Sequence, residues 1–302
     1  MGAFRVVFAI VVGSTSLLGC KTDRARPASG DGATALADAA PPKPGPVNAL
    51  PIPKDVVEKT VNPNKLPEYK GPVGVVEGTV YVTGDPAPPT MGKLFDRCPL
   101  AADVYSKTFR EGPALPNGSR ALADAVLGVT GYSGYIVAEK QPAKQLSIHN
   151  CAFSQRTVDM TFGQSLEVKN DGGQGPLFAP DFENQASPAV MIATPGGDPV
   201  KLYPKQPGRY RLIDRVGNAW LDADVFVSVT PLHATSDAKG HYRIEGVPAG
   251  KLKLSAWHPA IAHAWEKEVD VKDGVVTTVD VSIVNDKPAK QPPPANVKAI
   301  LP

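Results

Sequence analysis

The sequence predicts an all-β protein of two β-sandwiches flanked by disordered tails. From residue 73 to residue 285, short segments that favour strands follow one another, each bounded by Gly, Pro or Asn, and hardly any helical period occurs. Pairs such as Lys239-Gly240 and Asp273-Gly274 are turn signals between these segments. Short strands at regular spacing are typical of sandwich architecture.

The chain begins with a pattern typical of a lipoprotein signal peptide, residues 1–19. A charge at Arg5 precedes an apolar run, and Leu17-Leu18-Gly19 stands directly before Cys20. The apolar run is too short to cross a bilayer as a helix. We therefore predict that Cys20 is lipidated, because several acyl chains on one residue give a stable membrane anchor. An ordinary secretory signal that contains a cysteine by chance is the alternative.

The residue after the lipidation site bears on location. An aspartate there would favour inner-membrane retention in enteric-type sorting, but the chain has Lys21, so we expect an outer membrane lipoprotein of the cell envelope, periplasmic or surface-facing. A formal net charge of +2 gives no electrostatic argument for nucleic acid. The predicted partners are the membrane, through Cys20, and an unidentified envelope protein or glycan.

Two Pro-rich segments flank the strands. Residues 20–72 have no helical or alternating period, and the proline clusters at 39–46 and 50–54 exclude regular helix and sheet. We predict a tether with an r.m.s. span of roughly 40 Å, which would hold the folded part clear of the lipid headgroups. Residues 286–302 are predicted to form a second disordered tail.

Two cysteines remain besides the predicted anchor, Cys98 and Cys151. In an oxidising envelope compartment an even number of cysteines predicts a disulfide. Because 52 residues lie between them, the bond would stabilise the fold by roughly 4 kcal/mol through loop-closure entropy. Spacing alone does not establish pairing, so two buried free thiols are the alternative.

The segment from Thr235 to Gly250 combines turns and a strand in a specific order. Asp237 and Gly240 predict a hairpin turn, residues 246–250 predict a second tight turn, and another strand follows. This segment resembles the carboxypeptidase regulatory-like domain, a small transthyretin-like β-sandwich that is grouped with carbohydrate-binding-like folds. The resemblance covers residues 231–285 and implies a non-catalytic spacer or binding module.

That C-terminal unit is short for such a sandwich. Residues 75–83 resemble the opening strand of the fold and residues 123–130 its second strand. We therefore favour a split sandwich in which residues 144–230 are inserted between its strands. Two domains in tandem, with the early strands belonging to the central domain, are the alternative.

The central segment, residues 73–230, carries landmarks of a second family. They are Asp96–Cys98, Leu146–Phe153, Gln164–Asn170, Pro207–Arg211 and Ala219–Leu221. Their order resembles that of plastocyanin-like proteins found near methylamine-utilisation and cytochrome systems, in which a cupredoxin domain runs into a regulatory-like unit. The resemblance implies a degenerate cupredoxin-like sandwich that carries both Cys98 and Cys151.

The copper ligands of that family are missing. A blue-copper site needs two His, a Cys thiolate and usually a weak axial Met. Asp171 follows Asn170 where the family offers a His, and Arg215, Asn218 and Leu221 stand where it has Cys, His and Met. We therefore expect no metal and no cofactor, and copper electron transfer is a disfavoured alternative.

The predicted function is that of a non-catalytic, membrane-anchored envelope lipoprotein acting as a binding or scaffold module. No nucleophile–base or carboxylate constellation, and no G-x-S-x-G, H-E-x-x-H or Walker motif, predicts an enzyme. We expect binding at the connection from His258 to His263, which Trp257 and Trp265 flank. The two tryptophans favour core positions, but a sugar-stacking platform, and hence a carbohydrate- or peptidoglycan-binding module, is the alternative.

Overall fold

The computed structural model describes residues 51–90, 98–137, 143–172, 176–183, 185 and 189–286. The predicted signal peptide, Cys20, most of the tether and the C-terminal tail after residue 286 lie outside these ranges. No helix in the described ranges is long and apolar enough to span a bilayer.

The described chain consists of many short strands and two short helices, which confirms the predicted all-β class. The strands are β1 Val73–Gly84, β2 Glu111–Ala114, β3 Arg120–Leu122, β4 Val126–Thr130, β5 Ala143–His149, β6 Ala152–Phe153, β7 Thr157–Thr161, β8 Ser165–Asn170, β9 Pro180–Phe182, β10 Val200–Leu202, β11 Gly208–Asp214, β12 Asp222–Ser228, β13 His233–Thr235, β14 His241–Pro248, β15 Gly250–Trp257, β16 Trp265–Val271, β17 Val276–Thr278 and β18 Val281–Asn285. The helices are α1 Lys54–Val61 and α2 Ala102–Tyr105, the latter directly after a 3-10 turn, Pro99–Ala101.

The first sandwich is assembled from both ends of the described chain. In one sheet β1 is central: β14 and β3 pair with it antiparallel, and β17 and β18 pair with it parallel. The facing sheet has the order β13-β4-β15-β16. Alternate residues of β1 and β4, such as Val76, Val80 and Leu127, share one buried core with Leu254 of β15.

The pairing of β1 is that of the split arrangement. Besides β3, β1 pairs with β14, β17 and β18, which all follow residue 240, and no described strand between residues 143 and 228 pairs with it. The chain leaves the first sandwich after β4, builds the second one, and returns at β13 beside β4.

The second sandwich is formed by the inserted strands. One sheet has the order β10-β8-β5-β6 and the other β7-β12-β11-β9, with parallel pairs β5–β8 and β7–β12. Its core is rich in large apolar side chains, including Phe153, Met160, Leu166 and Phe182, each at most 2% exposed. The disulfide between Cys98 and Cys151 that the sequence predicted is confirmed, with the two Cα atoms 6.2 Å apart.

Within the predicted tether, residues 54–61 form the helix α1, where the sequence predicted no regular helix. Proline is tolerated where it stands, since Pro53 precedes the first helical residue and interrupts no internal hydrogen bond. Val57 and Val61 pack one face of α1 against the core of the second sandwich. Burial of this face, together with charge pairs such as Lys54–Glu58, outweighs the local bias of a Pro-rich neighbourhood.

Candidate functional site

A groove of 1430 Å³ lies where the two sandwiches meet. Its floor is the outer face of the β1 sheet, with Glu77, Thr79, Thr278 and Asp280. One edge strand, β14, borders the floor from His241 to Gly246. Side chains of the second sandwich and of the connection after β4 form the facing wall: Ile136, Val137, Lys144, Gln155 and Asp159. We call this space the groove.

A buried polar cluster closes the groove between edge strands β7 and β13. The Asp159 carboxylate accepts hydrogen bonds from His233 Nδ1 at 2.7 Å and from Thr235 Oγ1 at 2.7 Å, and it lies 3.2 Å from Lys144 Nζ. Burial alone would raise the pKa of Asp159, but the hydrogen bond from His233 and the charge of Lys144 outweigh it and hold that pKa well below its ordinary value. We call these four residues the Asp159 clamp.

The clamp continues to a threonine in an order that resembles a catalytic triad. His233 Nε2 is 3.0 Å from Thr161 Oγ1, so Asp159, His233 and Thr161 form a hydrogen-bonded chain. A nucleophile must be reachable by its substrate. Thr161 is 0% exposed. The chain of bonds is therefore placed to hold the two sandwiches together, not to attack a substrate.

A second buried contact joins the sandwiches at the start of β7. Arg110 pairs with both carboxylate oxygens of Asp124, at 2.6 and 2.8 Å. The same carboxylate accepts backbone N–H bonds from Arg156 and Thr157. Asp124 holds a positive φ of 65°, which few residues other than glycine adopt. This loop between β3 and β4 therefore fixes where the inserted sandwich begins.

The groove carries an excess of negative charge. Five carboxylates line it, against two permanent cations. The carboxylates are those of Glu77, Asp159, Asp237, Glu245 and Asp280, and the cations are Lys144 and Arg243. Lys144 is engaged by Asp159, and Arg243 pairs with both Glu77 and Glu245. The open part of the groove thus presents a net negative potential to any ligand.

The structure buries two of the four residues at which binding was expected. Trp257 is 3% exposed and packs edge-on against Phe226, with ring centroids 5.1 Å apart. His258 is also 3% exposed, its Nδ1 accepts the Ala260 N–H, and burial lowers its pKa to about 4. Trp257 thus lies in the core, the position that its sequence context favoured, where the contact between the sandwiches covers it together with Phe226, and neither it nor His258 is placed as a surface contact.

The other two expected binding residues reach solvent. His263 is exposed and its Nε2 lies 2.7 Å from Asp286 Oδ1. Trp265 is half-buried against the core of the first sandwich. Neither lines the groove. β14 borders the groove instead, and the alternation of apolar Tyr242 and Ile244 with polar neighbours marks it in the sequence as a strand with one exposed face.

The positions of the lost copper ligands are held by internal contacts. Asn218 donates to Asp214, and Arg215 donates to Asp181 and to the carbonyl oxygen of Phe182. Leu221 is 1% exposed. Within the described ranges, no group of three or more His, Cys, Asp or Glu side chains is placed to hold a metal ion.

Comparison with known proteins supports one family directly. Residues 208–284 match the family model of the carboxypeptidase regulatory-like domain, which confirms that resemblance. The match begins at β11, within the second sandwich, and runs through most of β18. No curated protein matches the sequence.

Solved structures with weak similarity include copper proteins. A mutant fern plastocyanin is 14% identical over 28% of this chain and 100% of its own, with a TM-score of 0.25. The copper-containing nitrite reductase of Thermus scotoductus SA-01 is 13% identical over 33% of this chain and 25% of its own, also at 0.25. A heme-copper terminal oxidase is 12% identical over 30% of this chain and 66% of its own, at 0.24. TM-scores this low carry no argument about function.

Proposed function

We propose that this protein is a non-catalytic, lipid-anchored envelope protein that binds a partner in the groove. The groove itself carries the proposal. A concave surface of 1430 Å³, bordered by a strand edge and lined by charged side chains, is the kind of site at which proteins hold ligands. The buried Asp159 clamp keeps the two walls in a fixed relation, so the site is formed before a ligand arrives.

The anchor is supported by the signal pattern at Cys20. The described fold begins at residue 51, so about 30 residues separate Cys20 from it, which as a coil spans about 30 Å. An outer membrane location follows from Lys21 on the sorting argument. We expect the mature protein to begin at a lipid-modified Cys20 and a Cys20→Ser variant to leave the membrane fraction. A mature N-terminus elsewhere, measured by mass spectrometry, would contradict the anchor.

A non-catalytic role is supported by the burial of the triad-like set Asp159, His233 and Thr161. Thr161 is 0% exposed, and its hydroxyl is engaged by His233. A carbohydrate-binding role loses its main argument, because a stacking platform needs an exposed aromatic face and Trp257 is buried.

The experiment fills the groove with a bulky side chain. Thr278 lines the groove and is exposed, so Thr278→Trp should block the groove without disturbing the core. Val216 is 57% exposed on the loop near the lost copper positions, and Val216→Trp is the matched control. Wild type and both variants are applied to a random-decapeptide phage library and to a glycan array.

We expect ligands that bind wild type and Val216→Trp equally and that bind Thr278→Trp at least tenfold more weakly. If every ligand bound all three proteins alike, or if neither the peptide library nor the glycan array gave a ligand, the groove would not be the binding site and the proposal would be wrong.

A further inference from the structure

One edge of the groove has the hydrogen-bonding geometry of an unfinished sheet. β14 pairs with β1 on one side, and no described strand pairs with it on the other. The groove borders that free side from His241 to Gly246. A strand edge of this kind presents a row of unpaired N–H and C=O groups, and proteins use such rows to take up extended peptides.

The register shows which residues of β14 face the groove. The Val80 N–H donates to the Gly240 carbonyl. In this ladder the even-numbered residues Tyr242 and Ile244 therefore turn their backbone N–H and C=O groups toward β1. The neighbouring turn agrees, because His241 exchanges hydrogen bonds with Asp237 on the side away from β1. The backbone groups of Arg243 therefore point away from β1. Glu245 stands at the β-bulge that shifts the register after Ile244 and has no partner residue on β1, and no backbone hydrogen bond joins either residue to another described strand.

The edges of β7 and β13 at the groove are closed. β7 and β13 are bridged by the Asp159 clamp, whose side chains fill the space between them. A ligand strand between β7 and β13 would have to displace that buried polar cluster. β14, which borders the groove from His241 to Gly246, pairs with no described strand on its outer side.

We propose that the groove takes an extended, basic polypeptide segment of a partner protein, which adds to β14 as a further antiparallel or parallel strand. This inference rests on the proposed function and names the chemistry of the partner. Because Asp237 takes the backbone groups of His241, the free edge runs from Tyr242 to Gly246, about 14 Å at 3.4 Å per residue, which is enough for a segment of about five residues. Backbone hydrogen bonds to Arg243 and Glu245 would hold the segment in register.

The charge of the groove sets the composition of the segment. Glu245 and Asp237 are exposed at the free edge and Asp280 on the groove floor, and Arg243, an exposed cation beside them, is shared between Glu77 and Glu245. Side chains of an added strand alternate between the two faces of the sheet, so Lys or Arg at every second position would meet the acidic floor. A segment rich in Asp or Glu would be repelled.

The test uses peptides that wild type selects from the random-decapeptide library. We expect the selected sequences to carry net positive charge, with Lys or Arg at alternate positions. Methylating the backbone nitrogens on the edge that faces β14 should weaken binding at least tenfold, whereas methylating the opposite edge should leave the affinity within twofold. These synthetic peptides test strand addition without changing the protein.

Two variants at one position separate the backbone of β14 from its side chain. Arg243→Pro removes the outward N–H and should weaken binding at least tenfold. Arg243→Ala keeps the N–H and removes a cation from the acidic floor, so it should strengthen binding of the basic peptide about threefold at low salt. Circular dichroism and the Tm establish that both variants fold.

The outcomes distinguish this inference from the proposed function. If Thr278→Trp abolishes binding but both methylated peptides keep the affinity of the unmodified peptide, the groove binds its ligand in another mode and strand addition is wrong. If the selected peptides are acidic, or if only glycans bind, the partner chemistry is wrong while the groove remains the site. If no ligand distinguishes Thr278→Trp from wild type, both are wrong.

Discussion

Asp159 illustrates, at the scale of single residues, how a few buried side chains join two sandwiches. Its carboxylate is satisfied from three directions, by His233, Thr235 and Lys144. A buried charge is tolerated when it is both paired and hydrogen-bonded. Because its partners come from both sandwiches, this residue contributes to the fixed shape of the groove as well as to stability.

Replacing Asp159 with Asn should destabilise the protein by about 3 kcal/mol, because it leaves buried partners of the carboxylate without their counter-charge. Urea unfolding at pH 7 measures this change. Asp237→Asn, at an exposed carboxylate of the same groove, is the control and should change the unfolding free energy by less than about 0.5 kcal/mol. Equal effects of the two substitutions would remove the structural role of the clamp.

His258 makes stability depend on pH. Its pKa in the folded protein is about 4, because burial disfavours the charged form, against an ordinary value of 6.5. The folded state therefore prefers the neutral ring. The contribution of the neutral His258 ring to the free energy of unfolding is complete above pH 6.5. It is lost as the pH falls from 6.5 through 4, by about 3 kcal/mol in all.

Unfolding free energies of wild type and His258→Asn between pH 7 and 4 test this. Asn keeps an acceptor for the Ala260 N–H but does not titrate, so the variant should lose less stability on acidification. His263→Asn, at an exposed histidine, should follow wild type. The lowered pKa of Asp159 affects stability in a different pH range. The stabilisation that the ionised Asp159 provides is lost only as the pH falls below 3.8, the ordinary pKa of an aspartate. Parallel curves for His258→Asn and wild type would contradict the burial argument.

At the scale of elements, β1 organises the first sandwich. It pairs with four other described strands, because β14 and β3 share one of its sides and β17 and β18 share the other. Small residues allow this crowding: a side chain at Gly78 would come within 3.0 Å of the Val279 backbone. The alternation of the strand was visible in the sequence, but β14, β17 and β18 lie more than 150 residues away and no local pattern specifies them as partners.

The disulfide ties the 3-10 turn before α2 to the turn between β5 and β6. Replacing Cys98 and Cys151 together with Ser should lower the unfolding free energy by about 4 kcal/mol, because the unfolded chain regains the entropy of a 52-residue loop. Guanidinium unfolding measures the loss. Dithiothreitol should destabilise wild type by a similar amount and leave the double variant unchanged. A change below 1 kcal/mol would contradict the loop-closure account.

At the scale of the whole molecule, the sequence allowed the all-β class, the disulfide and the regulatory-like resemblance to be predicted. Period-two patterns and cysteine counts are local properties, so they are readable without a structure. Helix α1 was missed because its stability comes from packing Val57 and Val61 against a distant core. The groove was missed for a related reason: it exists only where two sandwiches from interleaved segments meet.

The predicted binding residues show the same limit. Trp257 ends β15 and His258 begins the connection to β16. Their sequence context was compatible with either a core position or an exposed loop. Their burial is decided by Phe226 and Phe109, which come from the inserted sandwich and from the chain before β2. Contacts of this kind depend on tertiary structure, which amphipathic patterns do not encode.

The split sandwich predicts which fragments fold. Residues 231–285 alone should be unfolded, because β1 and β4 supply much of their core, including Val76, Val80 and Leu127. The Val129 N–H donates to the Leu232 carbonyl, so the chain leaves and re-enters the sandwich side by side. A variant in which a four-residue turn replaces residues 131–230 should therefore fold. Circular dichroism and amide proton dispersion measure both; a folded 231–285 fragment would contradict the shared core.

The central claim, that β14 offers an open edge to an added strand, is tested most directly by amide hydrogen exchange. In the free protein, the account predicts rapid exchange of the Arg243 and Glu245 amides and slow exchange of those of Tyr242 and Ile244, which bond to β1. With a selected basic peptide bound, exchange at Arg243 and Glu245 should slow at least tenfold. Protection of these two amides already in the free protein, or no change on binding, would contradict the claim.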